Sequence, residues 1–128
     1  MPMPRLTKLE LTIMEALWTH GPSSIREIQE RFPVDDAQAY TTVQTMVNRL
    51  ETKKAVARVK KIGGAHIYEA LLSRKIVQRH LIDEFVSMFG GRAQPIMTRF
   101  IETGKLTLED IQRGEKLVRD MAAKGNKP

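Results

Sequence analysis

Between positions 49 and 61 stand six cations, Arg49, Lys53, Lys54, Arg58, Lys60 and Lys61, against one anion, Glu51. Just before them, Tyr40, Thr41, Thr42, Gln44, Thr45 and Asn48 place a phenol, hydroxyls and carboxamides within one short segment. A cation cluster binds anions, above all phosphates, without reading sequence. The polar set adds another ability: Gln pairs with adenine, Thr hydroxyls meet several acceptors, and a Thr methyl packs on a thymine methyl. Together they amount to recognition chemistry for nucleic acid. A basic run by itself is more often a solvated face; its position beside this polar segment is what favours phosphate contact. Thr41 and Thr42 also admit a plainer role, crowding the start of a helix as caps, and that reading stays open beside base contact.

Other chemistries find little support. The 128 residues carry a net charge of +6 and a pI near 9.8, which favours an acidic partner, nucleic acid first and an anionic membrane surface second. Without cysteine there are no disulfides, zinc thiolates, iron–sulfur clusters or thiol nucleophiles. His20, His66 and His80 fall on different elements; His80 and Glu84, one turn apart, read as an ordinary helix pair. No serine sits in a nucleophile elbow, Gly63-Gly64 reads as a hairpin turn, and Asp35-Asp36 reads as capping for the helix that follows. The expectation is a protein that is not an enzyme and that needs no metal and no cofactor. Apolar runs of a few residues cannot insert in a membrane, and Met1-Pro2-Met3-Pro4-Arg5 lacks a signal-peptide core, so a cytoplasmic location is expected.

The elements that must carry these residues can be read in order. Thr7 and Glu10 form a capping box flanked by the staple pair Leu6 and Leu11, and Ile13, Met14, Leu17 and Trp18 repeat at helical spacing until His20-Gly21-Pro22. Ser24 and Glu27 repeat the box for a short helix through about Arg31. A third helix starts between Asp36 and Tyr40 and runs to about Lys54, its apolar stripe being Val43, Met46, Val47 and Leu50. The period then changes to two. Val56, Arg58 and Lys60 alternate with Ala57, Val59 and Lys61, and Ile62-Gly63-Gly64-Ala65 turns the chain into His66–Leu71, predicting a two-stranded hairpin over 56–71. Three helices and a hairpin outline a winged helix-turn-helix domain over residues 1–72.

Residues 73–128 read as a separate helical dimerisation domain. Ile76, Val77, Leu81, Ile82, Phe85, Val86, Met88 and Phe89 make one helix apolar around much of its girth, broken at Gly90-Gly91. Ile96, Met97, Phe100 and Ile101 follow Pro95, and a last helix capped by Thr107 and Asp110 presents Leu108, Ile111, Val118 and Met121. Such segments are too short to enclose a core and too apolar for water, so a second copy of the chain is expected to cover them through Ile76, Leu81, Phe85, Phe89, Phe100, Ile111 and Val118. Gly114 interrupts the last stripe; close helix approach and a simple propensity defect of roughly 1 kcal/mol are both open there. Residues 124–128 read as a loose tail. The fold class expected is mainly α with a small β-hairpin wing.

The segments Leu6-Thr7, Ile13-Met14, Leu17-Trp18, Ser24-Ile25-Arg26-Glu27-Ile28 and above all Tyr40-Thr41-Thr42-Val43-Gln44-Thr45-Met46-Val47-Asn48-Arg49-Leu50 resemble the penicillinase repressor family, whose members include β-lactamase, methicillin-resistance and copper-transport repressors. The resemblance covers nearly the whole chain. It implies a winged-helix N-terminal domain, a helical dimerisation domain and repression at palindromic promoter operators. It places Thr41, Thr42, Gln44, Thr45 and Arg49 on the recognition helix, and Lys60 and Lys61 on the wing. The chain departs from the family in three places. It lacks the Cys-x-Cys motifs of the copper-responsive branch, which removes that metal switch. The antibiotic-responsive branch is cut at an Asn–Phe bond by a membrane sensor-protease. The matching candidate cleavage point here is Arg99-Phe100, and Arg in place of Asn counts against that partner. Ala55 stands where a Gly commonly closes the recognition helix, predicting a strained left-handed cap or a different helix end.

The function expected is therefore a homodimeric, sequence-specific repressor bound to a double-stranded DNA operator through Tyr40, Thr41, Thr42, Gln44, Thr45, Asn48, Arg49, Lys53, Arg58, Lys60 and Lys61. The alternative is a winged-helix protein–protein adaptor without sequence-specific DNA binding, against which the six clustered cations argue. Sequence-independent coating of DNA is a weaker third reading.

Overall fold

The computed structural model describes residues 3–125; the start at residues 1–2 and the tail from 126 on lie outside the described residues. Two compact units divide the chain, Met1–Leu81 and Ile82–Pro128. The division falls inside a helix, later than the 72/73 boundary expected.

In the first unit, α1 spans Lys8–His20, opened by the Thr7–Glu10 capping box and closed at Gly21, whose φ of 81° suits glycine. The two-residue strand β1, Ser23–Ser24, leads into α2, Ile25–Glu30, where Ser24 and Glu27 form the second box. A 3₁₀ turn at Val34–Asp36 precedes α3, Tyr40–Thr52. The N-cap of α3 is Ala39, with no side-chain cap, so Asp35 and Asp36 do not cap this helix; Gln38 folds back onto Asp36 instead. Thr41 and Thr42 lie inside the first turn, past the cap position.

The hairpin pairs β2, Val56–Ile62, with β3, Ala65–Ala70, through Gly63 and Gly64 at φ 55° and 84°. Positive φ at both central residues is the type I′ geometry whose twist matches the strands. β1 adds to the other edge of β3, so the sheet has three strands in the order β1-β3-β2 rather than two. Two residues of β1 carry too little periodicity to show in sequence.

A second departure is a bulge. Arg58 pairs with Tyr68 and Lys60 with Ile67, leaving Val59 unmatched. An extra residue reverses the alternation beyond it. Arg58 and Lys61, opposite Tyr68 and His66, therefore share one face, while Lys60 and Ile62 share the other. Strict alternation had put Lys60 beside Arg58.

The core gathers Ile13, Met14 and Leu17 of α1, Ile25 and Ile28 of α2, Val43, Met46, Val47 and Leu50 of α3, and Val56 and Tyr68 of the sheet. Each such side chain contributes about 1.5–3 kcal/mol on burial, which seats α3 by its apolar stripe and turns its polar face outward. Trp18 Nε1 donates to the Leu72 carbonyl at 2.8 Å. The helix α4, Arg74–Ser87, begins in this unit: Arg74 donates to Glu15 and Thr19 of α1 at 3.0 and 2.9 Å and lies over the Trp18 ring, and Val77 is buried. These contacts explain why the first unit extends past residue 72.

The end of α3 also differs from expectation. Lys53 caps it, and Lys54 takes the left-handed conformation at φ 62°. Ala55, fully buried, instead exchanges backbone bonds, its N–H donating to Leu50 and its carbonyl accepting from Leu71. The strained position is Lys54.

The second unit holds the end of α4, then α5, Gln94–Glu102, and α6, Leu108–Ala123, the last opened by the Thr107–Asp110 box. Gly90 and Gly91, both at positive φ, end α4. None of its described residues is buried, and Phe85, Met88, Phe89, Met97, Phe100, Ile101, Ile111, Leu117 and Val118 are exposed. A Cβ on Gly114 would meet nothing within 4 Å. Among the described residues, no helix is long and apolar enough to cross a membrane.

Candidate nucleic-acid interface

With Val43, Met46, Val47 and Leu50 buried, α3 exposes Tyr40, Thr41, Thr42, Gln44, Thr45, Asn48 and Arg49 along one open face. Two hollows flank that face. One, of about 520 Å³, lies toward the hairpin and is lined by Ser24, Arg26, Tyr40, Gln44, Asn48, Arg58 and His66. The other, of about 610 Å³, lies toward the start of α1 and is lined by Thr7, Lys8, Thr41, Thr42, Thr45 and Arg49. The polar residues picked from the sequence are thus brought together, split between the two flanks of one helix.

Thr45, exposed on this face, donates its Oγ1–H to the Thr41 carbonyl at 3.0 Å, which leaves the oxygen lone pairs able to accept. The first N–H groups of α3 meet no capping side chain and carry the positive end of the helix dipole. Arg26 lies 5.5 Å from the Tyr40 ring centroid, bracing that ring from α2.

The cations separate into three sets. Arg49, Lys54, Lys60 and Lys61 are exposed and, among the described residues, form no salt bridge. Arg58 is partly engaged: its Nε lies 3.0 Å from Glu51 Oε2, its guanidinium sits 5.9 Å from the Tyr68 centroid, and Nη1 is 3.3 Å from His66 Nε2. Lys53 is set apart. Its ammonium donates to both oxygens of Glu10, at 2.7 and 3.0 Å, and to the Arg5 carbonyl at 2.8 Å. An ammonium has three donors, and here all have partners within the protein, so Lys53 is a structural tie rather than an available phosphate contact. Burial pushes the Glu10 carboxyl up, but bonds from Lys53 and Thr7 and the Lys53 charge pull it, on balance, below its ordinary 4.5.

Sequence reasoning missed Arg26, Ser24 and His66. Arg26 and Ser24 belong to α2 and its cap, and only tertiary packing brings them to Tyr40. His66 was weighed as a metal ligand alone; its register opposite Lys61 was the signal that it joins the basic face.

Arg99 and Phe100 lie within α5, Arg99 3.6 Å from Glu102 and the Phe100 carbonyl accepting from Lys105 and Leu106. Of the residues expected to mediate self-association, Phe85, Phe89, Phe100, Ile111 and Val118 are exposed in the second unit. Ile76 is exposed and Leu81 half-buried in the first.

A three-helix body, a hairpin wing and an outward polar helix make this a winged helix-turn-helix protein with a helical C-terminal unit. A profile of the penicillinase repressor family matches residues 6–120, and the chain belongs to that family. It is 29% identical over 129 residues to the transcriptional regulator BlaI of Mycobacterium tuberculosis, covering 98% of this chain and 92% of that protein. It is 24% identical over 110 residues to the penicillinase repressor of Bacillus licheniformis, covering 85% of each. Among solved structures, it is similar to the monomeric form of Bacillus licheniformis BlaI in complex with the blaP half-operator. That similarity has a TM-score of 0.48 and 24% identity, over 58% of this chain and 89% of that one.

Proposed function

We propose that this protein is a DNA-binding transcriptional repressor that acts in the cytoplasm as a homodimer on palindromic operators. One observation carries the reading. The exposed face of α3 is a continuous set of short polar side chains, free of carboxylates until Glu51, and Lys60 and Lys61, which form no salt bridge among the described residues, stand on the adjacent hairpin. Each protomer would lay α3 in a major groove, with Gln44, Thr45 and Asn48 at base edges and Arg49, Arg58, Lys60 and Lys61 on phosphates. Family membership and the relatives' names support the same role.

The homodimer is supported by the second unit, which buries none of its described side chains and exposes Phe85 of α4, Met88 and Phe89 just after it, Met97 and Phe100 of α5, and Ile111 and Val118 of α6. Two-fold symmetry then calls for an inverted repeat with half-sites an integral number of helical turns apart. Release by a sensor-protease at Arg99-Phe100 would require α5 to open first, because proteolysis acts on locally unfolded chain.

The test is selection of binders from a random duplex pool, with wild type and Gln44→Ala in parallel. An enriched inverted repeat that is altered or lost in the variant upholds the reading. A folded, self-associated protein that enriches no sequence overturns it, in favour of the adaptor.

A further inference from the structure

Resting on the reading that this chain grips a duplex, we propose that His66 is a phosphodiester contact whose protonation is linked to DNA binding, so that affinity rises as pH falls. His66 lies at the mouth of the hairpin on β3, exposed, and lines the 520 Å³ cleft that separates the hairpin from α3. Arg58 Nη1 stands 3.3 Å from His66 Nε2. A guanidinium can only donate, so a hydrogen bond between the two has Nε2 as its acceptor. A proton added to Nε2 sets donor against donor, unless an anion comes between them. A phosphodiester supplies two free oxygens, one for Arg58 and one for the imidazolium, and turns that repulsion into two charge-assisted hydrogen bonds.

The surroundings favour an anion. Lys61 is the direct cross-strand partner of His66, Arg58 is its neighbour on β2, and Arg26 of α2 lines the same cleft. Tyr40 of α3 and Tyr68 of β3 contribute ring faces, the latter edge-on to His66 at 6.5 Å between centroids. The nearby carboxylates are otherwise engaged: Glu51 of α3 holds Arg58, Glu27 of α2 closes the Ser24 cap, and Glu69 lies on the opposite face of β3. Histidine is the side chain that ordinarily changes charge between pH 5 and 8. If DNA prefers the protonated form, His66 must by linkage take up that proton when the duplex binds.

The test measures affinity of the full chain for the selected duplex and for a scrambled duplex of equal length, at about pH 5.5 and about pH 8, spanning the histidine range. Wild type should gain about fivefold in affinity on acidification relative to His66→Gln, on both duplexes, the gain expected of one charge-assisted contact. Its salt slope should steepen by about one unit at the lower pH, and that of His66→Gln should not. His66→Arg, with a fixed charge, should bind at both pH values as wild type does at the lower one. Parallel pH profiles for wild type and His66→Gln, with binding intact, overturn the proposal alone. A wild type that prefers no duplex at either pH overturns the underlying DNA reading, and this inference with it.

Discussion

Lys53 Nζ lies 2.7 Å from Oε1 and 3.0 Å from Oε2 of Glu10, which is 2% exposed, so the residue that closes α3 is bolted to the first turn of α1. Glu10 also accepts from the Thr7 N–H, so one carboxylate serves both the capping box and the tie. A buried carboxylate without a cation is costly, whereas a buried pair can be neutral against apolar replacement. Lys53→Met should therefore destabilise the fold by about 2–3 kcal/mol, the lower end because Lys53 keeps 30% exposure. Adding Glu10→Gln, which retains the cap, should recover part of that loss. Chemical denaturation of both single variants and the double variant checks this; strictly additive effects would show that the two residues do not interact.

The same pair sets an acid limit. The folded Glu10 carboxyl lies below its ordinary 4.5, so its contribution is complete above about that pH and is lost as pH falls through the lower folded value. Glu27 and Asp110 are lowered in the same direction by the hydrogen bonds of their capping boxes. Thermal unfolding should show little change of midpoint from neutrality to about pH 5 on this account, then a fall that is shallower in Glu10→Gln. Equal acid slopes in the two proteins would contradict this.

Lys54 carries the backbone strain at φ 62°. A left-handed L-residue costs roughly 1–2 kcal/mol, of which glycine returns part to chain entropy. Lys54→Gly should stabilise the protein by about 0.5–1 kcal/mol, and Lys54→Val should destabilise it by a similar amount. Midpoints of urea unfolding decide the sign. Ala55→Gly, at a position whose backbone is not left-handed, should bring no gain.

Base and phosphate contacts should separate on DNA. Gln44→Ala is expected to relax sequence choice, whereas Lys60→Ala should weaken every duplex alike and reduce the salt slope by about one unit. A change of base preference in Lys60→Ala with none in Gln44→Ala would reverse the assignment of groove and backbone.

Self-association should depend on the exposed apolar side chains of the second unit. Val118→Asp, on an exposed apolar face of α6, should shift the protein to monomer in sedimentation and leave the thermal midpoint of the first unit unchanged. An unaltered sedimentation coefficient would place the interface elsewhere.

The sequence by itself determined the helices and the capped starts of α1, α2 and α6, though neither the cap nor the end of α3. The capping boxes at Thr7, Ser24 and Thr107 and the Gly63-Gly64 turn are local chemistry within a few residues, and each stands where it was read. The polar face of α3 was legible for the same reason, since its stripe of Val43, Met46, Val47 and Leu50 fixes which side turns out. Tertiary structure decided what depends on distant partners. Strand β1 exists through pairing with β3, and the unmatched Val59 shows only in the register between β2 and β3. Lys53 counts as one more cation in the sequence and becomes a tie because folding brings Glu10, 43 positions away, within 2.7 Å. His66 and Arg26 join the candidate interface because helix and hairpin close a cleft around them. Local pattern encodes the elements; only their packing assigns each charge a neighbour.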